Sequence, residues 1–315
     1  MKLFALIAFA ALAPAATLLV LNKDDATLAI VDPASGKVLG TIPTGEGPHE
    51  VATDGKLAFV GNYGTGPEPG KSISVIDLAS KKELHRFDVS PLQRPHGMFV
   101  SGGKAYFTAE ANRLIARYDP ATNQIDWIMG TGLNTTHMVM LTHDGSKIFT
   151  SNIGSDAIGI FERGSNPGAW NFTAVPVGKG PEAIEVSPDE KEIWTAHSRD
   201  GGVSIIDIAT KKVTGTIDAH TKRSNRLKIT PDGKLVLITD LDEGNLVVLD
   251  RASHKEIKRL ALGKMPEGIL IVPDGSRAYI AVNGDNYVAV LDLKTLAVSS
   301  KINPGKGPDG MAWIN

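Results

Sequence analysis

Residues 181–217 read PEAIEVSPDEKEIWTAHSRDGGVSIIDIATKKVTGTI, a stretch with four short strand-like runs separated by turns. Apolar and polar residues alternate within the runs, as at Val203 and Ile205, and turn residues such as Ser187-Pro188-Asp189 lie between them. This alternation with intervening turns predicts antiparallel β-strands. In chain order we label the four predicted strands A to D: Ala183–Val186, Glu192–Ala196, Val203–Ile208 and Lys212–Ile217.

The same pattern recurs along the chain. Each repeat begins at a short loop, mostly of the Gly/Pro type, that carries one polar residue before strand A, and successive loops are 41 to 47 residues apart. The seven polar residues are His49, His96, His137, Glu182, Asn225, Glu267 and Asp309. A period of about 40–50 residues filled with short strands is typical of β-propellers, in which each repeat forms one blade.

The two ends of the pattern are incomplete repeats that complement each other. Thr17–Asn22, Thr27–Asp32 and Lys37–Ile42 align with strands B, C and D, whereas Gly310–Ile314 aligns with strand A. Pairing the last segment with the first three gives a one-plus-three closure without a free edge. The sequence therefore predicts an all-β fold, a seven-bladed β-propeller of four-stranded antiparallel blades, as one domain over residues 17–315.

Met1–Ala16 has the composition of a signal peptide. Lys2 is followed by an apolar run at Leu3–Leu12 and by the small residues Ala13-Pro14-Ala15, which is typical of a cleaved secretory signal; the alternative is a buried first strand. We expect an exported protein, periplasmic or secreted.

Bulk composition narrows the classes of partner. The formal net charge of −2 lacks the positive excess that nucleic-acid binders carry. No further apolar stretch is long enough to cross a bilayer, so we expect no membrane insertion. The absence of cysteine excludes a lipid-anchored Cys and c-type haem attachment. We expect a monomer with a small-molecule ligand.

The repeats resemble the YVTN-type seven-bladed propeller proteins. A loose form of the family's B-strand motif appears at Ala58-Phe59-Val60-Gly61-Asn62 and Tyr279-Ile280-Ala281-Val282-Asn283, and its strand-C consensus appears as Ser74-Val75-Ile76-Asp77. The resemblance covers nearly the whole chain after residue 16 and implies the fold. Pro48-His49 and Asn62-Tyr63-Gly64 are also similar to features of the related seven-bladed lactonases, which makes lactonase activity an expectation.

The ring of polar residues predicts a site at the mouth of the central channel. Since strand A is innermost in a propeller, equivalent residues of successive blades should face one axis. Histidines from adjacent blades can present neutral ring nitrogens to one divalent ion, such as zinc, iron, copper or manganese. The predicted metal ligands are His49, His96, His137 and, from a B-to-C loop on the same rim, His197.

Other rim residues are candidates for catalysis or ligand binding. We expect the ring carboxylates to act as general base beside a metal-polarised ligand in hydrolysis or lyase chemistry; these are Glu182, Glu267 and Asp309. Predicted ligand-binding residues are Asn62, Asn152, Asn225, Arg226 and Asn283. Two alternatives stay open: the histidines only bond loop backbones or channel water, or the protein is a non-catalytic scaffold that docks another protein or an envelope component.

Overall fold

A computed structural model describes residues 16–315, so the predicted signal segment 1–15 lies outside the described residues. In chain order the first fourteen strands are β1 (Thr17–Asn22), β2 (Thr27–Asp32), β3 (Lys37–Pro43), β4 (Pro48–Thr53), β5 (Leu57–Gly64), β6 (Pro69–Asp77), β7 (Lys82–Asp88), β8 (Pro95–Ser101), β9 (Lys104–Ala109), β10 (Leu114–Asp119), β11 (Gln124–Gly130), β12 (Thr136–Leu141), β13 (Lys147–Asn152) and β14 (Ala157–Arg163). The other fourteen are β15 (Trp170–Pro176), β16 (Pro181–Val186), β17 (Glu192–His197), β18 (Gly202–Asp207), β19 (Lys212–Asp218), β20 (Ser224–Ile229), β21 (Leu235–Asp240), β22 (Asn245–Asp250), β23 (Lys255–Ala261), β24 (Pro266–Ile271), β25 (Arg277–Val282), β26 (Tyr287–Asp292), β27 (Ala297–Ile302) and β28 (Pro308–Ile314). Three one-turn 3-10 helices follow second strands of blades, at Glu110–Asn112, Ile153–Ser155 and Asn283–Asp285.

These strands form seven four-stranded antiparallel sheets, the blades of a propeller. Blade 1 has the order β28-β1-β2-β3, and blades 2 to 7 take the remaining strands in consecutive groups of four, from β4–β7 to β24–β27. The predicted seven-bladed fold is confirmed.

The predicted closure is confirmed in blade 1. Strand β28 pairs antiparallel with β1, so that Leu18 lies opposite Trp313 and Val20 opposite Met311. No edge of blade 1 is left open towards the channel, because β28 takes the innermost place that strand A occupies in the other blades.

The core lies between neighbouring blades. Val20 and Val31 of blade 1, for example, share an apolar cluster with Tyr279 and Val290 of blade 7, and all four are buried. In the middle strands of a blade, successive side chains face opposite neighbouring blades. Both faces of these strands are therefore buried, which explains why their residues are apolar without alternation.

Aspartate side chains stabilise turns between strands C and D. In the turn after strand C of blade 1, Asp32 Oδ1 accepts a hydrogen bond from the backbone nitrogen of Ala34 at 2.9 Å, and Asp207 Oδ1 accepts one from the nitrogen of Thr210 at 2.7 Å in blade 5. Such side-chain hydrogen bonds stabilise a tight turn. The turn reverses the chain so that the outermost strand of the blade can pair with the strand before it.

A register shift lies at the start of every innermost strand. In blade 2 it falls between Pro48 and Glu50, and in blade 6 between Ser224 and Leu227. A bulge of this kind re-aims side chains near the end of a strand. Because of this bulge, the side chains of two consecutive residues, His49 and Glu50, both reach the channel.

Glycine lets the inner strands approach each other next to the channel. A Cβ atom on Gly310 would lie 2.3 Å from the carbonyl oxygen of His49, and one on Gly97 would lie 2.7 Å from the Cα atom of Met138. Both distances are far below van der Waals contact, so these positions need glycine to keep adjacent blades close at the mouth.

Candidate functional site

All seven ring residues line one cavity of about 210 Å³ at the channel mouth. They are the residues predicted from the repeat, listed by blade from blade 2 round to blade 1: His49, His96, His137, Glu182, Asn225, Glu267 and Asp309. Six more residues complete the lining: Lys23, Tyr63, Arg223, Arg226, Leu241 and Met265. The histidines come from three successive blades, and the carboxylates and amide fill the other side of the ring.

The three ring histidines lie side by side. The ring centroids of His49 and His96 are 5.3 Å apart, and those of His96 and His137 are 3.8 Å apart. His49 Nδ1 is 2.9 Å from the carbonyl oxygen of Gly47, which can only accept, so this nitrogen is the donor. Its Nε2 atom therefore carries the lone pair in the neutral ring.

A carboxylate fixes His137 in the same way. His137 Nδ1 is 2.7 Å from Glu110 Oε2, and Tyr63 donates its hydroxyl hydrogen to Glu110 Oε1 at 2.8 Å. Burial opposes the charge of Glu110, but the hydrogen bonds from His137 and Tyr63 hold its pKa below the ordinary value. The Tyr63 ring also lies 4.6 Å from that of His49. The sequence analysis gave Glu110 and Tyr63 no role at this site.

Several buried polar atoms in this cavity have no hydrogen-bond partner. They are His96 Nδ1, His137 Nε2 and Asp309 Oδ1. Buried polar atoms are normally paired, and an unpaired one calls for a functional explanation such as a ligand or a water. The mouth therefore offers two imidazole nitrogens and one carboxylate oxygen for binding.

Burial keeps His49 and His96 neutral. It lowers the pKa of His49 to about 4, assisted by the nearby charge of Lys23, and it lowers the pKa of His96 well below its ordinary value, assisted by the neighbouring histidines. Near neutral pH these rings are therefore lone-pair donors and not cations.

This shift predicts an acid-sensitive contribution to stability. The folded-state pKa of His49 is lowered, so the folded protein binds fewer protons at this site than the unfolded chain between pH 6.5 and about 4. The contribution is full above pH 6.5 and is lost as the pH falls towards 4, with a size on the order of 3 kcal/mol. Denaturant unfolding at several pH values should show that His49→Asn has a shallower loss of stability on acidification than the wild type. Equal slopes would contradict the lowered pKa.

Lys23 neutralises the acidic side of the ring. Its Nζ atom is 2.6 Å from Glu267 Oε2 and 3.4 Å from Asp309 Oδ2. Burial raises the pKa of Glu267 to about 7, and the charge of Asp309 adds to this effect, although Lys23 opposes it. Glu267 thus changes protonation near neutral pH. Sequence reasoning missed Lys23, which comes from the loop between β1 and β2.

An ion pair crosses the channel between blades 2 and 6. Arg226 donates to Glu50 Oε1, and their side chains are only 8% and 15% exposed. Arg226 also reaches the backbone oxygen of Asn225 at 3.3 Å, while Asn225 Nδ2 donates to Glu182 Oε1 at 2.8 Å. Burial opposes the charge of Arg226, but the carboxylates around it raise its pKa above the ordinary value. The guanidinium of Arg226, predicted to bind ligand, is therefore engaged by the protein itself.

Four predicted site residues lie outside this cavity. Asn62 and Asn152 are fully buried and bond within their own region: Asn62 Nδ2 donates to Ser74 Oγ and Asn152 Nδ2 to the carbonyl oxygen of Thr150, each at 3.0 Å. Asn283 Nδ2 donates to the carbonyl oxygen of Pro308 at 3.3 Å. Asn62 and Asn152 thus stabilise their own blades, whereas Asn283 joins blade 7 to β28 of blade 1.

His197 belongs to a different cavity. It lines a pocket of about 270 Å³ beside blade 5, where its Nδ1 atom lies 2.9 Å from Asp200 Oδ1. Asp200 Oδ1 also accepts the backbone nitrogen of Gly202 at 3.1 Å. His197 is the last residue of β17, the second strand of blade 5. Asn62 and Asn152 lie at or near the corresponding position of blades 2 and 4. The His197 side chain is directed towards the loop of its own blade. The structure does not bring it to the three ring histidines.

The arrangement of donors bears on metal binding. Within residues 16–315 no group of three or more His, Cys, Asp or Glu side chains is arranged to hold a metal ion. The rings of His96 and His137 lie against each other at 3.8 Å, so their nitrogens do not converge on one point. A shared metal would require one of these rings to rotate.

A comparison with known families places the fold. The family model for the YNCE-like beta-propeller matches residues 100–277, more than half of the chain. The chain belongs to the YNCE-like beta-propeller family. The match runs from the inner strand of blade 3 to blade 7 and includes His137, Glu182, Asn225 and Glu267 of the ring.

The individual proteins that this YNCE-like propeller resembles are named for different activities. An alignment of 141 positions is 32% identical to the hydrazine synthase subunit beta of Kuenenia stuttgartiensis, and it covers 36% of this chain and 36% of that one. The present chain thus spans about a third of the length of that curated relative. The solved hydrazine synthase of the same organism matches with a TM-score of 0.71 and 20% identity over 84% of this chain and 88% of that one.

The periplasmic gluconolactonase of Pseudomonas aeruginosa is also similar. It matches with a TM-score of 0.74 and 18% identity, over 95% of this chain and 99% of that one. Likenesses at 18–20% identity show the shared fold. Within residues 16–315 no helix is long and apolar enough to cross a membrane.

Proposed function

We propose that this propeller binds a small polar ligand at the channel mouth, and that a divalent metal ion takes part. The observation that carries the proposal is the set of buried, unpartnered atoms in one cavity: His96 Nδ1, His137 Nε2 and Asp309 Oδ1. Leaving such atoms unpaired costs roughly 1–3 kcal/mol each. A ligand that pairs with them would recover this free energy on binding.

The histidine geometry supports the metal part of the proposal. His49 and His137 both donate from Nδ1 to an oxygen, of Gly47 and Glu110 respectively, which leaves Nε2 free. Metal-binding histidines in proteins are oriented by this kind of bond. The ion is zinc, iron, copper or manganese, held by His49, His96 and His137 after rotation of one ring, and when bound it would polarise an oxygen of the ligand.

We extend the proposal to hydrolysis of a lactone or another ester. Its support is twofold: a structural relative is named a gluconolactonase, and Glu267 has a pKa of about 7 in the same cavity. A carboxylate that titrates near the working pH suits a general base. Glu267 would take a proton from water, while Lys23, which contacts both Glu267 and Asp309, holds its side chain in place.

We further propose that the protein is exported and acts as a monomer. The apolar stretch at residues 3–12 and the small residues after it support export. So does the likeness to a relative that is named periplasmic.

Metal analysis tests the site directly. Protein purified without a polyhistidine tag is expected to retain or take up a divalent metal, and free metal at about 100 times its dissociation constant should stabilise the fold by about 2.7 kcal/mol. The triple variant His49→Ala, His96→Ala and His137→Ala should lose both the metal and the thermal shift.

His143→Ala is the matched control, because His143 is exposed and lies in an A-to-B turn, away from the mouth. It should leave metal content unchanged. If the triple variant binds as much metal as the wild type, the metal site is wrong. The interaction-scaffold alternative would then be favoured, because it needs no metal and no histidine-dependent activity.

A further inference from the structure

The mouth is small for a ligand site and continues into a groove. Its volume of about 210 Å³ lies below the roughly 300–1,000 Å³ of ordinary small-molecule sites. A groove of about 840 Å³ lies on the same rim between blades 6 and 7 and shares Arg223, Leu241 and Met265 with the mouth. The cavity beside His197 shares no lining residue with the mouth. A ligand too long for the mouth would therefore extend along the groove.

Arg223 supplies a cation at the junction of the two cavities. Lys222, Arg223 and Arg226 lie close together in the sequence at this rim, but Arg226 is paired with Glu50 and Lys222 with Glu243. The backbone nitrogen of Arg223 bonds Asp240 Oδ1 at 3.0 Å, whereas its guanidinium has no carboxylate partner among residues 16–315. An unpaired guanidinium presents a fork of donors that suits an oxyanion.

Met265 supplies an apolar contact at the same junction. It is 42% exposed and has a φ of +54°. The equivalent positions of blades 2, 5 and 1 are Gly47, Gly180 and Gly307, and those of blades 3 and 4 are Arg94 and Thr135, all with positive φ. The backbone conformation therefore belongs to the repeated loop, and what distinguishes Met265 is its exposed apolar side chain. Met265 and the buried Leu241 line the junction of the two cavities with apolar side chains.

We propose that the ligand has two parts: a polar head in the mouth and an apolar arm that crosses Met265 and carries an oxyanion bound by Arg223. This inference rests on the proposal that the mouth binds a polar ligand, and it adds the chemical class of that ligand. Arg223 is then the residue that selects anionic over neutral ligands, and Met265 selects for an apolar arm. Asp242 and Glu243, which also line the groove, disfavour a second anionic group on the ligand.

A matched pair of small probes tests this assignment. Hexanoate and hexanamide have the same apolar chain and differ in charge, and binding is followed through the methyl resonance of Met265, assigned by its loss in Met265→Leu. Hexanoate is expected to shift this resonance and to bind about tenfold more tightly than hexanamide, the size of one charge-assisted hydrogen bond. Arg223→Gln should remove this preference. In Met265→Gly, where binding is followed through the methyl resonance of the probe itself, both probes should bind more weakly.

Two control variants separate this inference from the metal proposal. Arg277→Gln changes an exposed arginine at the start of β25, in an A-to-B turn on the opposite rim, and should leave hexanoate binding unchanged. The triple histidine variant should lose metal but keep the hexanoate preference. The inference is overturned if hexanoate does not shift Met265, if both probes bind equally well, or if Arg223→Gln binds like the wild type.

Discussion

Deletion of residues 310–315 will lower the free energy of unfolding by at least about 5 kcal/mol. The deletion removes most of β28, whose residues pair with β1 from Thr17 to Val20. It also exposes the apolar cluster between blades 1 and 7, against which Met311 and Trp313 pack. Large buried side chains contribute several kcal/mol each, and an open inner edge leaves unpaired backbone groups next to the channel.

Chemical denaturation of the truncated and full chains measures this effect. Deletion of Asn315 alone is the control, because this exposed residue lies outside β28 and its loss should change the unfolding free energy by less than about 0.5 kcal/mol. An unchanged melting temperature after the longer deletion would refute the closure of the ring by β28.

Glu50→Ala will be the most damaging single substitution in the channel. It leaves the guanidinium of Arg226, 8% exposed, without its carboxylate partner. Removing one member of a buried ion pair costs about 3–5 kcal/mol, mostly because the other charge stays buried and unpaired. The double variant Glu50→Gln with Arg226→Met removes both charges, and it should recover most of that loss.

The matched control for this prediction is Glu243→Ala. Glu243 pairs with Lys222 in an exposed contact, with side chains 39% and 72% exposed. An exposed pair of this kind contributes about 0–1 kcal/mol. Equal losses of stability in Glu50→Ala and Glu243→Ala, measured by denaturant unfolding, would show that the pair across the channel is not a buried one.

The sequence predicted the features that repeat. The blade count, the closure and the convergence of the seven ring residues follow from a period of 41 to 47 residues, because rotation about the propeller axis carries equivalent positions onto each other. His49, His96 and His137 were found in this way, and they lie together in the mouth.

The sequence did not predict features that break the repeat. Lys23 contacts Glu267 across 244 residues of chain, and Glu50 contacts Arg226 across 176. Neither position is polar in every blade, so periodicity gave no signal for them. Glu50 reaches the channel because of the bulge after Pro48, and a bulge of one residue reverses the side of a strand that a side chain occupies.

The direction of the side chains at the ends of second strands was also beyond sequence reasoning. Asn62 and Asn152 stand on the correct rim, yet their amides are directed into their own blades and bond Ser74 and Thr150. A polar residue at a strand end can serve either the loop or the channel, and the choice depends on local backbone geometry that spacing does not encode.

The contact between Arg226 and Glu50 has a mechanical consequence. Blades 2 and 6 stand on roughly opposite sides of the ring, so their ion pair is a tie across the diameter of the propeller. Outward movement of either blade would stretch it and separate two buried charges, which resists widening of the ring. A ligand would therefore enter and leave by the rim, over Arg223 and Met265, and exchange would be controlled by side-chain motion there without any movement of the blades.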